Sequence, residues 1–372
     1  MEQLFSVIQA VLAFITAITI LVFVHEWGHY IVARMNGVKV DVFSIGFGKE
    51  IFGWYDKHGT RWRISYIPMG GYVKFFGDAS AASTPDGGSL DDMSAEERAV
   101  AFHYKKLWQR AAIVFAGPLA NFIFAIMILA GFFVAYGQRD IAPVVSEVIA
   151  ESPAEAAGIL AGDVIVSVDD EKIDDFRSLK RYITLNVGDA VNLGILRGDQ
   201  SLMLLMTPRL EDVIDQDGKI VRQEPRIGIR SDAQNSTYID HNIFSAIWAA
   251  TLATRDMVEM TFTVVSQMVV GDRSAKDIGG PIGIAQESGK RIDVSLESFI
   301  EFIAIISISL GIINLLPIPL LDGGHLLFYS FEAVLGRKLN ERTQELGFRI
   351  GLMMVLGLMI FATFNDIMKL VS

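Results

Sequence analysis

The chain contains no cysteine. That excludes disulfides, iron–sulfur clusters and thiolate zinc sites, so any metal must be held by His, Asp or Glu. Charge is also scarce. Asp, Glu, Lys and Arg make up 20% of the residues, where a soluble domain averages about 25%. Basic residues are the minority, 32 against 43 acidic ones, for a net charge of −11. Nucleic-acid binding relies on a basic footprint and is therefore disfavoured. An apolar content of 51% is equally far from that of a disordered chain. Hydrophobicity is what the chain has in excess, and it is concentrated.

Residues 3–24, 111–138, 302–321 and 350–365 carry no charge. About 20 mostly apolar residues cross a bilayer. The first three runs meet that length, and flanking residues 346–348 and 367 onward extend the fourth. The patterning predicts four transmembrane helices. The first run lacks the basic start and small-residue cleavage site of a signal peptide. Residues 242–271 are a fifth apolar stretch, but Arg255, Asp256 and Glu259 interrupt it. A charge at mid-bilayer costs about 2.5–3.5 kcal/mol. This segment is read as an amphipathic helix at the membrane surface or against the spans.

The charges divide unevenly between the segments. Residues 34–110 hold 11 basic and 9 acidic residues, a net of +2, and residues 139–301 hold 16 and 27, a net of −11. Arg337, Lys338, Arg342 and Arg349 cluster before the last span. Short cytoplasmic loops favour Lys and Arg. Residues 34–110 and 325–345 are therefore expected in the cytoplasm. Residues 139–301 and both termini are expected outside.

The end of the first run reads His25-Glu26-Trp27-Gly28-His29. On a helix, residues four apart lie about 40° apart around the axis, so the two imidazoles share a face. With a Glu beside them they make the core of a zinc protease. Zinc lowers the pKa of bound water, and the Glu can take its proton. Ionisable groups in an apolar run are costly and usually functional; the plain alternative is a pair of interfacial histidines reaching for headgroups. A catalytic zinc site needs a third protein ligand. The third run ends in Asn314-Leu-Leu-Pro317-Ile-Pro319-Leu-Leu-Asp322-Gly323-Gly324-His325. Its prolines and glycines break helical geometry, which membranes tolerate where protein or a cavity satisfies the backbone. Asp322 is the best third ligand, and His325 competes. Asn314 could hydrogen-bond substrate backbone or a developing oxyanion, or simply pack between helices. His25 and Asp322 reach one depth only if their spans run parallel. One intervening span, residues 111–138, satisfies this, and a crossing by 242–271 would break it.

Residues 41–72 alternate aromatic and β-branched residues with glycines, which is hairpin composition. Residues 78–95 are small, polar and turn-rich, and read as a flexible loop. Ser94 and Glu97 then form a capping-box pattern. Residues 139–232 read as a soluble domain. It has strands near 143–149, 164–168 and 226–230, helices at 152–159 and 175–185, and a hairpin about Gly198-Asp199. Residues 211–225, with Asp217-Gly218, read as an acidic surface loop. The string SPAEAAGILAGDVIVSVDD resembles bacterial PDZ domains, which bind peptides by strand addition.

HEWGH near the end of one span with NLLPIPLLDGG near the end of another resembles the site-2 protease family of intramembrane zinc metalloproteases. The order of parts resembles the regulator-of-sigma-E protease branch in a single-PDZ form. Ser44-Ile45-Gly46-Phe47-Gly48 and Gly117-Pro118-Leu119-Ala120-Asn121 belong to the same resemblance. It implies Zn²⁺ held by His25, His29 and Asp322, Glu26 as catalytic acid–base, and substrate contacts from Asn314 and from Gly46, Phe47 and Gly48. The implied fold is a polytopic α-helical membrane protein with four transmembrane helices, a membrane-associated β-hairpin region and one α+β PDZ domain. Its expected parts are 1–35 (first span), 36–77 (β region), 78–110 (cytoplasmic loop and amphipathic helix) and 111–138 (second span). They continue with 139–232 (PDZ), 233–297 (amphipathic segment), 298–324 (third span), 325–345 (cytoplasmic loop) and 346–372 (fourth span).

The expected activity is cleavage of single-span membrane proteins, anti-sigma factors or remnant signal peptides, in a bacterial inner membrane with the PDZ domain on the periplasmic side. Membrane lipids and a peptide ligand of the PDZ domain are the other expected partners. A catalytically inert membrane PDZ adaptor is the alternative, opposed by the filled metal and base positions. A transporter would predict repeat symmetry, and none is found.

Overall fold

A computed structural model of the chain describes residues 2–78, 93–214, 220–231, 236–271 and 273–371. The chain divides into two units, Met1–Ile128 with Gly279–Met368, and Leu129–Ile278 with Lys369–Ser372.

The first unit opens with α1 (Glu2–Met35), which meets no proline or glycine before Gly28. Two long strands follow, β1 (Val40–Tyr55) and β2 (Arg61–Phe75). They fold more tightly than the expected hairpin. Residues 42–45 face 71–74 on one side and 61–64 on the other, while residues 50–55 pair with 61–65. β1 must therefore double back after Ile45. Gly46 (φ 88°) and Gly48 (φ 89°) supply the left-handed backbone for that bend, which residues with a Cβ rarely adopt. Phe43 stacks on Trp62 with ring centroids 4.2 Å apart and is fully buried. At the far end, Ile51, Phe52, Tyr55 and Tyr66 are exposed, an apolar patch of the kind that meets a membrane.

Asp56 ties the turn of this hairpin to α1. It accepts from Tyr30 Oη (2.9 Å), Trp62 Nε1 (3.0 Å) and the backbone N–H groups of His58 (2.8 Å) and Thr60 (2.9 Å). Burial raises its pKa, but the hydrogen bonds from Trp62, Thr60, His58 and Tyr30 outweigh that and bring it down to about 2. Beyond the strands, α2 (Ala95–Val100) starts at the expected capping box, with Ser94 and Glu97 bonding reciprocally. The expected loop at 78–95 lies largely outside the described residues. Then α3 (Leu107–Tyr136) runs through Pro118.

The second unit carries the α+β domain. Its strands and helices are β3 (Gln138–Asp140), β4 (Val145–Val148), α4 (Pro153–Ala156), β5 (Val164–Val168), β6 (Glu171–Lys172), α5 (Phe176–Leu185), β7 (Val191–Arg197) and β8 (Gln200–Met206). β9 (Arg209–Ile214), β10 (Ile220–Arg226), β11 (Ile229–Ser231), β12 (Thr237–Ile239) and α6 (Ile243–Val270) follow. A four-stranded sheet has the order β6-β5-β7-β8, and β11 pairs with β4. Its inward residues, including Ile165, Leu193, Ile195 and Leu179, are buried. Ser152 and Asp175 cap α4 and α5 as their sequence positions suggest. Residues 211–225 are not the expected loop, because β9 and β10 pair there as a hairpin. The β-branched pairs Val213-Ile214 and Ile220-Val221 favour strand despite the acidic composition. The tip with Asp217-Gly218 lies outside the described residues.

The charges in the middle of α6 have partners. Arg181 on α5 donates to Glu259 (3.0 Å), Asp256 (3.4 Å) and Glu171 (3.0 Å). Phe244, Trp248 and Val269 on the same helix are exposed. α6 is thus amphipathic, with its charged midsection docked on the α+β domain.

The first unit resumes with α7 (Pro281–Val294), α8 (Leu296–Leu315), α9 (Asp322–Leu335) and α10 (Glu341–Val371). Asp366 on α10 accepts the backbone N–H of Gly280 (2.9 Å) and Gly283 (2.8 Å) at the start of α7. Phe5–Met35, Leu107–Tyr136, Leu296–Leu315 and Arg342–Lys369 are long and apolar enough to cross a membrane, and α6 is not among them. The third span does not run to residue 324. It stops at Leu315, before Pro317 and Pro319, which cannot continue a helix. A new helix then starts at Asp322 and runs to Leu335, where a loop from residue 325 was expected. An acidic residue in the first turn suits the helix dipole.

Replacing Asp56 by Asn should loosen the hairpin by about 1–2 kcal/mol, read as faster hydrogen exchange over residues 61–75 in the intact chain. Because the folded pKa is lowered from 3.8 to about 2, the Asp56 contribution is complete above pH 3.8 and fades as the pH falls through 2. The variant should lack that acid-dependent loss.

Candidate metal centre

His25 and His29 lie on the last third of α1, and Asp322 opens α9. Their ligand atoms converge. Asp322 Oδ2 is 3.1 Å from His25 Nε2 and 3.5 Å from His29 Nε2, and the two Nε2 atoms are 3.2 Å apart. Among the described residues these three form the one cluster with metal-ligand spacing. His325, the competing ligand, lines the same cavity but stands outside the cluster, packed against Phe348 and Tyr329.

The arrangement fits a zinc ion. A tetrahedral zinc with bonds of about 2.0–2.2 Å has ligand–ligand edges of about 3.3–3.5 Å, close to the three distances above. The hydrogen bonding agrees. His29 Nδ1 lies 2.8 Å from the carbonyl oxygen of Ile113. A carbonyl only accepts, so Nδ1 carries the hydrogen and Nε2 presents its lone pair to the cluster. Asp322 Oδ2 is buried and accepts no hydrogen bond. A cation placed between these buried groups would satisfy their lone pairs.

Small residues make room for this meeting. A Cβ on Gly117 would lie 2.4 Å from His29 Nε2 and 2.9 Å from His25 Cε1. A Cβ on Gly323 would lie 2.3 Å from the carbonyls of Leu315 and Leu316, and one on Gly324 would lie 2.4 Å from that of Ile318. The first turn of α9 therefore rests on the backbone of the broken segment. Leu320 in that segment has φ 101°, a strained value for a residue with a Cβ. It lines the cavity.

The cavity beside the cluster is about 210 Å³. Glu26 and Asn314 both reach it, and Asn314 has no hydrogen-bond partner among the described residues. Gly71, Tyr72 and Val73 of β2 form another part of its wall. Gly46, Phe47 and Gly48, expected at the substrate, are absent from the wall. They form the bend behind it, where Phe47 stacks on Tyr72 with centroids 6.0 Å apart. Residues 71–74 pair with 42–45 along one edge, and no strand among the described residues pairs along the other. The glycines Gly70 and Gly71 were the available signal for this edge in the sequence. Gly117 and Asn121, spaced by one helical turn, were the signal for the face of α3 that meets the two histidines.

Residues 13–358 match Peptidase family M50. The chain is 44% identical to "Putative zinc metalloprotease Atu1380" of Agrobacterium fabrum over 364 residues, 97% of this chain and 96% of that one. It is 39% identical to Metalloprotease MmpA of Caulobacter vibrioides, covering 94% of this chain and 93% of that one. A solved PDZ domain of the SdrC-like protein from Listeria innocua is 29% identical over 24% of this chain and 93% of that one, with a TM-score of 0.19. Matched along most of its length to zinc metalloproteases, the chain belongs to peptidase family M50, the site-2 type, and is a multi-pass membrane enzyme.

Proposed function

We propose that the protein hydrolyses a peptide bond of single-span membrane proteins at the cavity between α1, α9 and β2. The observation that carries this is the convergence of His25, His29 and Asp322 beside Glu26 on the wall of one cavity. Zinc bound by these three side chains would supply the Lewis acidity that makes water a nucleophile near neutral pH. Glu26 takes the proton of the attacking water and returns it to the departing amide nitrogen. Asn314, with its amide free, donates to the substrate backbone or to the developing oxyanion.

A protease must hold its substrate extended, and the unpaired edge of residues 71–74 can accept a strand by main-chain hydrogen bonds. Gly46, Phe47 and Gly48 contribute by bending β1 so that this edge borders the cavity. Substrates of this kind include anti-sigma factors already trimmed outside and remnant signal peptides. The excess of Lys and Arg at 34–110 and 337–349 favours a cytoplasmic location for those segments in a bacterial inner membrane. The acidic α+β domain then faces the periplasm. It carries an apolar groove of about 330 Å³ between α5 and β11, lined by Phe176, Leu179, Ile183, Ile227 and Ile229. An extended peptide could pair there along the edge of β11 that β4 leaves free, so the domain can filter substrates by their outer part.

Replacing Glu26 by Gln should lower cleavage of a single-span substrate by about 10²–10⁴-fold while zinc remains bound. Full cleavage by that variant would sink the protease mechanism. Replacing His25 by Ala should abolish stoichiometric zinc, measured by metal analysis of the purified chain. Since the chain has no cysteine, single cysteines can report sidedness. One at Lys57 should be labelled only from the cytoplasmic side, and one at Asp199 only from the periplasmic side.

A further inference from the structure

Asn121 is fully buried on α3, one turn beyond Gly117. Its side chain faces His25, with Nδ2 3.2 Å from His25 Nδ1. Its Oδ1 is buried with no hydrogen-bond partner. The backbone at this residue is held from another helix, because Ser307 Oγ on α8 donates to the Asn121 carbonyl at 2.8 Å. A buried amide that faces a histidine of the cluster is polar where packing alone would favour an apolar residue.

The two histidines of the cluster show which atom of that amide His25 requires. His29 has a backbone carbonyl at Nδ1, which fixes its hydrogen there and frees Nε2. His25 also turns Nε2 toward the cluster. For Nε2 to offer a lone pair, His25 Nδ1 must carry the hydrogen and needs an acceptor. The group that faces Nδ1 is the Asn121 amide. Its nitrogen cannot accept, but half a turn of the amide places Oδ1 at the same point. We infer that Asn121 is a positioning residue that accepts the Nδ1–H of His25 and so sets that ring's tautomer and orientation toward the metal. Asn121 is neither a ligand nor a substrate contact. The inference rests on the zinc reading above.

An amide suits this place better than a carboxylate. Asp322 already brings one negative charge to the ligand set. A second one beneath His25 would strengthen its hold on the ion but oppose the acidity that hydrolysis requires. Asp at this position should therefore preserve binding, whereas an apolar residue should not.

The test uses the full chain, purified in detergent and dialysed against a graded series of zinc buffers. The readout is the free zinc level at which half of the metal is lost. Asn121→Leu should lose zinc at a free level about 10–100-fold higher than the unmodified chain. Asn121→Asp should stay within a few-fold of it. If Asn121→Leu does not fold, Asn121→Ala carries the same comparison. Retention of zinc by the apolar variant at the unmodified level would overturn the inference. Equal losses in the apolar and Asp variants would also overturn it, since packing alone would then explain the residue. An unmodified chain that takes up no zinc would instead remove the metal reading, and this inference with it.

Discussion

Everything in the first unit answers to one constraint: imidazole and carboxylate groups placed in an apolar span must meet a partner of opposite character. Left alone there, each would be costly. His25, His29 and Asp322 meet within 3.5 Å of one another. The helices are cut to allow it. α8 ends at Leu315, the chain turns through two prolines, and α9 begins with Asp322. An unbroken helix across residues 296–335 would leave Asp322 without the bent segment that aims it.

Close backbone approach is the second requirement, and glycine provides it. Gly117 leaves space for both imidazoles, and Gly323 and Gly324 let α9 rest on carbonyl groups of the break. These positions tolerate no Cβ because the neighbouring atoms are backbone or ligand rings, which have nowhere to move. The β region obeys the same logic in another form. The positive φ at Gly46 and Gly48 folds β1 back on itself, and that fold leaves the edge at 71–74 beside the cavity.

The second unit separates cleanly in its chemistry. Its core is a small sheet packed on α5, and it lies largely within residues 139–301, which hold 27 acidic against 16 basic residues. Arg181 joins α5 to the charged middle of α6, so α6 can expose apolar side chains on its outer faces without burying Asp256 or Glu259 unpaired. The groove between α5 and β11 lies on that same helix.

The amino-acid sequence by itself determined the four apolar runs, the His-Glu pair of the first span, the proline and glycine break before Asp322 and the strand-rich composition of 41–72. Each of these is local: run length, helical spacing and backbone restriction act within a few residues. Tertiary structure alone decided the remainder. It set Asp322, not His325, within 3.5 Å of the two histidines, paired residues 209–214 with 220–226 and put 71–74, not 46–48, at the cavity. It also brought Asn121 of α3 against His25. The meeting of Asn121 with His25 joins residues 96 positions apart, and that of Asp322 with His25 spans most of the chain. Local periodicity carries no information about which distant groups will share a lone pair or a hydrogen, so only the packed fold could settle them.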